Sequence, residues 1–551
     1  MESGLTAALN GSFTKAIDGL GSAHAQGWGE GEMRNSRLLK VAALCCSAVW
    51  SASGPAQDNA EPPHGHAHSH AMSANGNFGE LTFPNSGNEA AQAPFLRGVK
   101  LLHNFQYEEA IEAFQQAQKS DPNFALAYWG EAMSHNYTLW AEQHTDQART
   151  ILQKLGASPE VRAGKAKTER EKMWLSAVEA LYGAGTKYER DEAYADRMDA
   201  LFGAYPNDFE ARVFDALATM GRSHGTRDVA NYMKAAAMLE EVFPTHTHHP
   251  GVVHYLIHAY DDPAHAPLGV RAARLYDKVA PDSAHAQHMT SHIFLAMGRW
   301  PETEEANAHA LAVQNELMAA HHMPPVRCGH GNIWLVYARL QQGKDVGQQM
   351  DACLTDALLG QKETKNLPIV GYPEGDTGSW ADMAVRSGVE TGKWPKWMDL
   401  PPGKFTYARF IQDYGRVLAS RHDAAEAQSA LASMRADREI LAANFKNEFP
   451  DDETYLPWID RAVAQAEAIA ALAQGHAEEG IALLRKAAGA EAALPPPFGP
   501  PALQKPSYEL LGDELLSLQR KQEAADAYRA ALAAAPNRRL SVLGLRAATT
   551  P

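Results

Sequence analysis

The sequence predicts an all-α chain of stacked helical hairpins, and three observations point there. Residues 94–122 and 512–536 carry small residues, aromatics and a closing proline at matching offsets, the pattern of two helices that must approach closely and then stop. Two histidine pairs, His254 with His258 and His288 with His292, are each spaced four residues apart. They are offset from each other by 34 residues (288 − 254 and 292 − 258), the length of one helical-hairpin repeat. No stretch shows the strict alternation of a half-buried strand.

Composition sets the limits. A chain of 551 residues with 45% hydrophobic and 21% charged residues can bury a large core, as two or more domains or one long solenoid. The formal net charge of −16 argues against nucleic acid or an anionic membrane as the main partner. The 24 histidines stand out because many are clustered.

Residues 1–32 show no clear periodicity and read as a mis-called N-terminal extension, with Met33 the expected start. From there, M-R-N-S-R-L-L-K is followed by V-A-A-L-C-C-S-A-V-W-S-A-S-G-P-A-Q. A basic opening, a short apolar run and a small-residue exit make 33–56 a secretory signal, with cleavage near Ala56 and a periplasmic or secreted destination. The apolar run is too short for a stable membrane anchor, and Leu44 stands before Cys45 where a lipoprotein box needs a small residue. Cleavage leaves Cys328 and Cys353, whose spacing alone leaves both a disulfide and two free thiols open. Residues 57–93, rich in Pro, Ala, Asn, Gly and Ser, read as a disordered linker. Within it His64, His66, His68 and His70 either capture a transition metal loosely or are simply solvated.

Repeats begin near Pro94. Gly98, Tyr107, Ala110, Phe114, Ala117 and Pro122 occupy positions 8, 17, 20, 24, 27 and 32 of a hairpin, and Gly512, Ala524, Tyr528, Ala531 and Pro536 repeat the set near the end. Weaker copies lie near 191–222, 406–436 and 461–490. Across most of 94–540 the chain resembles the tetratricopeptide repeat family. The blocks A-L-A-Y-W-G-E-A-M at 125–133, H-H-P-G-V-V-H-Y-L-I-H-A at 248–259 and H-M-T-S-H at 288–292 are similar to a group of exported bacterial repeat proteins, a resemblance that implies a fold and little chemistry. The expected organisation is N-terminal repeats over 94–360, a Gly/Pro/Trp-rich loop over 361–404 that covers a groove, and C-terminal repeats over 405–551. Residues 141–190 read as a charged, partly helical insertion.

Registered on Pro281, Gly298 and Gly343, the resemblance places His254 and His258 at positions 5 and 9 of one repeat and Asp261 at 12. His285, His288 and His292 fall at 2, 5 and 9 of the next, and His330 at 2 of the one after. In this family those positions line the concave groove. Residues i and i+4 share a helix face and packed helices lie about 8–10 Å apart, so the imidazoles can share one ion or two. Neutral imidazole suits zinc, copper, nickel and iron, and a set without thiolate leans away from structural zinc. Copper or zinc is the expected ion, with Asp261 and Tyr255 behind the ligands as orienting partners. Three histidines and an open position would allow hydrolytic or redox chemistry. The competing readings are a polar groove for a peptide or small acid, and a scaffold for another exported protein without metal.

The remaining candidates are weaker. His246, His248 and His249 either rim the site or stay solvated, and His265, His309, His321 and His322 read as surface or loop residues. Trp129 and Tyr137 read as core before ligand stacking. There is no phosphate loop, dinucleotide glycine motif, G-x-S-x-G elbow or C-x-x-C-H haem motif. Tyr255 and Met289 stand where a zinc protease would carry the glutamate of H-E-x-x-H, which leaves catalysis undecided.

Overall fold

The computed structural model describes residues 76–140, 142–363, 375–448 and 455–550. The segment 33–56 and the histidines from His64 to His70 lie outside them. Twenty-three α-helices account for nearly all regular structure among the described residues, beside one antiparallel pair at Asn136–Tyr137 and Glu142–Gln143. Most consecutive helices form antiparallel hairpins, such as Glu89–His103 with Tyr107–Ser120, Pro250–Ala259 with Ala266–Val279, and Ala284–Ala296 with Trp300–Ala320. The fold is an all-α hairpin solenoid of the tetratricopeptide type.

Small residues make the hairpins close. The Phe114 ring lies over both Gly98 and Gly130, where an added Cβ would come within 2.7 and 2.3 Å of it. Tyr528 lies in the same way over Gly512 and Gly544, at 2.7 and 2.2 Å. One aromatic thus locks its own hairpin to the next. Helix starts are capped as their residues suggest: Asn88, Ser158, Thr168, Asp208 and Ser283 accept backbone N–H groups, and Thr186 with Glu189 forms a reciprocal capping box.

The inner helices curl until they meet. Glu89–His103 packs on Ala125–Met133, which packs on Glu169–Leu181. Phe209–Gly221 packs on Pro250–Ala259, which returns onto Glu89–His103. Trp174 against Phe214, 5.4 Å between ring centroids, joins the two arcs. The hollow expected as an open groove is therefore filled here, by Phe83, Phe95, Trp129, Trp174 and Phe214. The C-terminal helices form a second core, from Cys328 to Ala548. It closes through residues 536–539 onto the middle of the chain, with Trp300 Nε1 donating to the Asn537 carbonyl at 3.0 Å and Arg538 reaching the Tyr337 hydroxyl at 3.1 Å.

Several expected boundaries move. The linker over 57–93 ends early, because Phe78 and Phe83 are buried in the first core and a helix begins at Glu89; rings burying this much apolar surface outweigh the polar composition around them. The loop over 361–404 is helical at Gly375–Thr391, where S-W-A-D-M-A-V-R, with Trp380, Met383 and Val385, is buried on every side. Residues 364–374 lie outside the described residues. The insertion over 141–190 supplies Thr145–Leu155, Pro159–Ala163 and Glu169–Leu181. Leu175, Val178 and Leu181 fill the core, so the stretch continues the solenoid despite its charge. Cys328 and Cys353 form a disulfide. Among the described residues no helix is long and apolar enough to cross a membrane.

Candidate metal centre

Three inner helices, Pro250–Ala259, Ala284–Ala296 and His330–Gln341, carry the six histidines. Their Nε2 atoms converge in two groups. His254 Nε2 lies 3.1 Å from His258 Nε2 and 3.1 Å from His285 Nε2. His288 Nε2 lies 3.1 Å from His292 Nε2 and 2.9 Å from His330 Nε2. Within each triad the candidate ligand atoms all fall within 4.8 Å of one another. An ion held about 2.0–2.1 Å from each nitrogen fits between nitrogens so placed. His254, His258, His288 and His292 are buried, while His285 and His330, in the opening turns of their helices, are half-buried.

The opposite ring nitrogens show where the protons are. His254 Nδ1 lies 2.6 Å from the His103 carbonyl, which only accepts, so Nδ1 carries the hydrogen. His292 Nδ1 donates to Asp261 Oδ2 at 2.6 Å. His288 Nδ1 donates to Asn307 Oδ1 at 2.8 Å, and Asn307 is held in that orientation by its own amide, which donates to the Thr303 carbonyl at 2.8 Å. In three of the six rings, therefore, Nε2 presents a lone pair. Orienting a ligand imidazole through its other nitrogen is how metal-binding histidines are usually fixed. Burial, reinforced by the neighbouring imidazoles, pushes His254, His258, His285 and His288 well below the ordinary histidine range and His330 down to about 3, which keeps these rings neutral and able to ligate.

The walls are apolar. Phe105 packs on His254, His258 and His285 with centroids 4.4, 5.7 and 5.8 Å away. Trp334 packs on His288, His292 and His330 at 4.7, 4.4 and 5.3 Å. Phe105 holds a left-handed backbone, φ 55°, in an interhelical turn where other hairpins use Gly298, Gly343 or Gly475. A non-glycine residue in that region costs about 1–2 kcal/mol, so the ring is retained against a backbone penalty. Arg227, buried, donates to the His258 and Ala259 carbonyls and pairs with Asp262 at 2.6 Å, closing the end of the first histidine helix.

The sequence-predicted residues are thus accounted for. The structure brings His254, His258, His285, His288, His292 and His330 together and puts Asp261 behind His292. Tyr255 is placed differently. Its ring lies beside that of His254, with centroids 5.4 Å apart, but its hydroxyl lies 2.9 Å from His103 Nδ1, one step removed from the triads. His249 caps its helix by accepting from Val252 N–H, leaving Nε2–H to donate to Glu210 Oε1 at 3.0 Å. Burial would raise Glu210, but His249 and His103 outweigh it and hold the carboxyl at about 2. His103, His249 and Glu210 form a third buried group with metal-like spacing, yet each of these contacts is already a matched hydrogen bond. His246 stacks on Phe209 and His265 pairs with Asp262. His248, His309 and His322 are exposed and His321 is half-buried. Trp129 belongs to the core. Tyr137 is likewise buried, its ring tilted against Tyr107 with centroids 4.4 Å apart.

Sequence reasoning missed Phe105, Asn307, Trp334 and the proline-rich segment 494–506. That segment is held from behind by Arg386 on the Pro501 carbonyl and Gln504 on Asp382. Its tip carries Phe498 onto Arg227 and Tyr232 and lays Gly499 against Trp334, 2.3 Å from where a Cβ would stand. The run L-P-P-P-F-G-P-P was the available signal.

Two stretches, residues 97–124 and 506–538, match the family model described as tetratricopeptide repeat. These stretches are tetratricopeptide repeats. They coincide with the hairpins locked by Phe114 and Tyr528. No curated protein matches the chain in sequence. Among solved structures the chain is similar to the APC/C hetero-tetramer Cut9–Hcn1, at 10% identity over 86% of this chain and 79% of that one, with a TM-score of 0.34. It is also similar to a human IFIT1 dimer with PPP-AAAA, at 12% identity over 84% of this chain and 90% of that one, TM-score 0.31. The P58(IPK) TPR domain follows at 10% identity over 83% and 97%, TM-score 0.19. At these values the likeness carries no argument about ligands.

Proposed function

We propose that this is an exported tetratricopeptide-repeat protein that binds a transition metal, copper or zinc, through histidines at the junction of its two cores. One observation carries the reading. His288 and His292 both hold their hydrogen at Nδ1, so their Nε2 lone pairs face each other at 3.1 Å. That contact is repulsive unless a cation lies between them. The signal-like segment 33–56 and the H-H-P-G and H-M-T-S-H blocks support export, as does the Cys328–Cys353 disulfide, which suits an oxidising compartment.

The test is metal analysis of untagged protein in which His64, His66, His68 and His70 are replaced by alanine. Substitution is preferable to removing residues 57–93, since Phe78 and Phe83 belong to the core. Stoichiometric metal that is lost in the double variant His254→Ala, His288→Ala supports the reading. Wild-type protein that binds none under metal-replete conditions ends it. An exchangeable water or azide on the bound metal would extend the reading to an enzyme.

A second reading has its own support. Tetratricopeptide solenoids commonly present their inner face to a protein or peptide, and here the proline-rich 494–506 segment lies on Arg227, Tyr232 and Trp334 much as a bound peptide would. A co-purifying exported protein, with no metal, would favour it. The charge of −16 keeps nucleic acid out of both readings.

A further inference from the structure

We propose that the six histidines hold two copper ions side by side, one per triad, and that the pair binds dioxygen between them as a bridging peroxide. This rests on the transition-metal reading above and goes beyond it in ion number, oxidation state and ligand.

Ion number follows from the grouping. Within the triads the ring centroids are 4.8 and 5.0 Å apart around His254 and 5.0 and 4.6 Å apart around His288. Between triads the rings stand farther off, 6.0 Å for His258 with His292 and 6.4 Å for His285 with His288. A single ion bonded at about 2 Å fits inside either triad and cannot also serve the other. Two ions can be served, and rings this close across the divide make the ions neighbours, as in two-metal sites spaced about 3.5–4 Å. Three nitrogens per ion leave each with an open position, and the neighbouring triad is what lies across the gap.

Metal and oxidation state follow from charge. Imidazole binds a metal as a neutral ligand, and among the described residues the only carboxylate hydrogen-bonded to any of the six is Asp261, behind His292. The surroundings are the Phe105 and Trp334 rings. Burying uncompensated positive charge there is costly. Magnesium, calcium and manganese favour oxygen donors, whereas imidazole suits copper, and copper is the imidazole-binding metal with an accessible monovalent state. Two Cu(I) ions bring the least charge that can fill both triads.

Dioxygen then fits the same balance. Each Cu(I) gives up one electron and becomes Cu(II). The O–O double bond takes both electrons and becomes the single bond of peroxide, O₂²⁻, with no proton moved and no further reductant needed. The metals gain two positive charges while the ligand between them carries two negative ones, so the total charge of the buried site is unchanged. A site with neutral ligands can therefore change oxidation state without a counter-ion. His285 and His330, the two half-buried ligands, mark the side from which a small molecule enters.

The test uses the full chain with His64, His66, His68 and His70 replaced by alanine, loaded with Cu(I) without air and then exposed to oxygen. Expected are two coppers per chain and one dioxygen taken up per pair. A peroxide-to-copper absorption band should appear, and no Cu(II) paramagnetic resonance signal should be seen, since two bridged Cu(II) spins cancel. His258→Ala and His330→Ala should each retain one copper and take up no oxygen. His330 is the safer change, being half-buried, and circular dichroism checks that both variants fold. One copper per chain in the parent overturns the pair while leaving metal binding intact. Two coppers that oxidise to a full signal of isolated Cu(II) overturn the bridging ligand. Zinc bound in place of copper overturns this proposal and leaves the broader reading standing, and no metal of either kind under metal-replete conditions overturns both.

Discussion

Arg538 and His288 are both buried polar side chains where several inner helices meet, and they are surrounded in opposite ways. Arg538 reaches both oxygens of Glu509 at 2.9 Å and pairs with Glu390 at 2.7 Å, while Lys505 joins Glu509 at 3.0 Å and Asp513 at 2.6 Å. Every charge there answers an opposite one. His288 instead faces His292 and His330, groups of its own kind. The first cluster pairs its charges internally and ties the C-terminal core to the middle of the chain. The second gains its order from outside, through Asn307 and Asp261, and directs its lone pairs at a common point. Buried polarity that satisfies itself indicates architecture, and buried polarity that converges unsatisfied indicates a ligand.

Acid should separate the two clusters most strongly. The His254, His258, His285, His288 and His330 imidazoles lie below their ordinary value in the folded protein. In the unfolded chain they titrate near 6.5, so as the pH falls the unfolded state takes up protons first. Above about pH 6.5 they have no effect, and below it the metal-free protein loses about 1.4 kcal/mol per histidine for each pH unit. Glu109 and Asp215, raised by burial to about 7, work in the opposite sense and offset part of this loss. Burial favours protonating Glu509, yet Arg538 and Lys505 outweigh it and keep it at about 2, so the C-terminal cluster holds through the same window. Hydrogen exchange of metal-free protein at pH 5.5 should show residues 250–259 and 284–296 opening while 507–517 stay protected. Uniform loss of protection across both regions would erase the distinction, and added metal should restore the first.

The next test breaks the self-satisfied cluster. Arg538→Met leaves Glu509 and Glu390 buried without their main partner, a loss of about 3–5 kcal/mol to be read as a lowered urea midpoint at unchanged slope. His288→Gln in metal-free protein should cost far less, because it removes a repulsive contact along with the hydrogen bond to Asn307. Equal costs would mean that the histidines are held together as the charges are.

These contrasts explain what was legible beforehand. The two i,i+4 pairs and their 34-residue offset are local facts about helices and repeats, so His254, His258, His288 and His292 were identifiable from spacing, and His285, His330 and Asp261 from the repeat register that the family resemblance implies. Phe105 and the His103 carbonyl reach His254 because the first hairpin closes onto the helix beginning at Pro250, about 150 residues later, and no periodicity encodes that closure. Asn307 has no sequence signal beyond being polar on a helix whose neighbours are small. The covering segment was sought at 361–404 on composition, whereas the stretch at 494–506, equally rich in proline, is the one whose ends are tied down and whose tip meets Trp334. Composition misread the first stretch, which is helical over Gly375–Thr391, and only packing shows what a proline-rich segment rests on.

The smallest expected effect is the most discriminating. Asp261→Asn keeps an oxygen to accept the His292 Nδ1 hydrogen and removes one negative charge. If Asp261 only orients the ring, metal affinity should hardly change. If it also compensates buried positive charge, affinity should fall 10–100-fold, the usual range for such partners and about 1.4–2.7 kcal/mol. The stability of metal-free protein should move less, since a neutral imidazole hydrogen-bonds an amide oxygen nearly as well as a carboxylate. Competition against a chelator, measured on the metal-loaded variant and parent, gives the first quantity, and thermal melting without metal gives the second. A large drop in affinity with an unchanged melting point places Asp261 with the ligand and not with the fold, on the same side of the comparison as His288. The reverse pattern would move it to the side of Glu509, as a charge that serves the architecture.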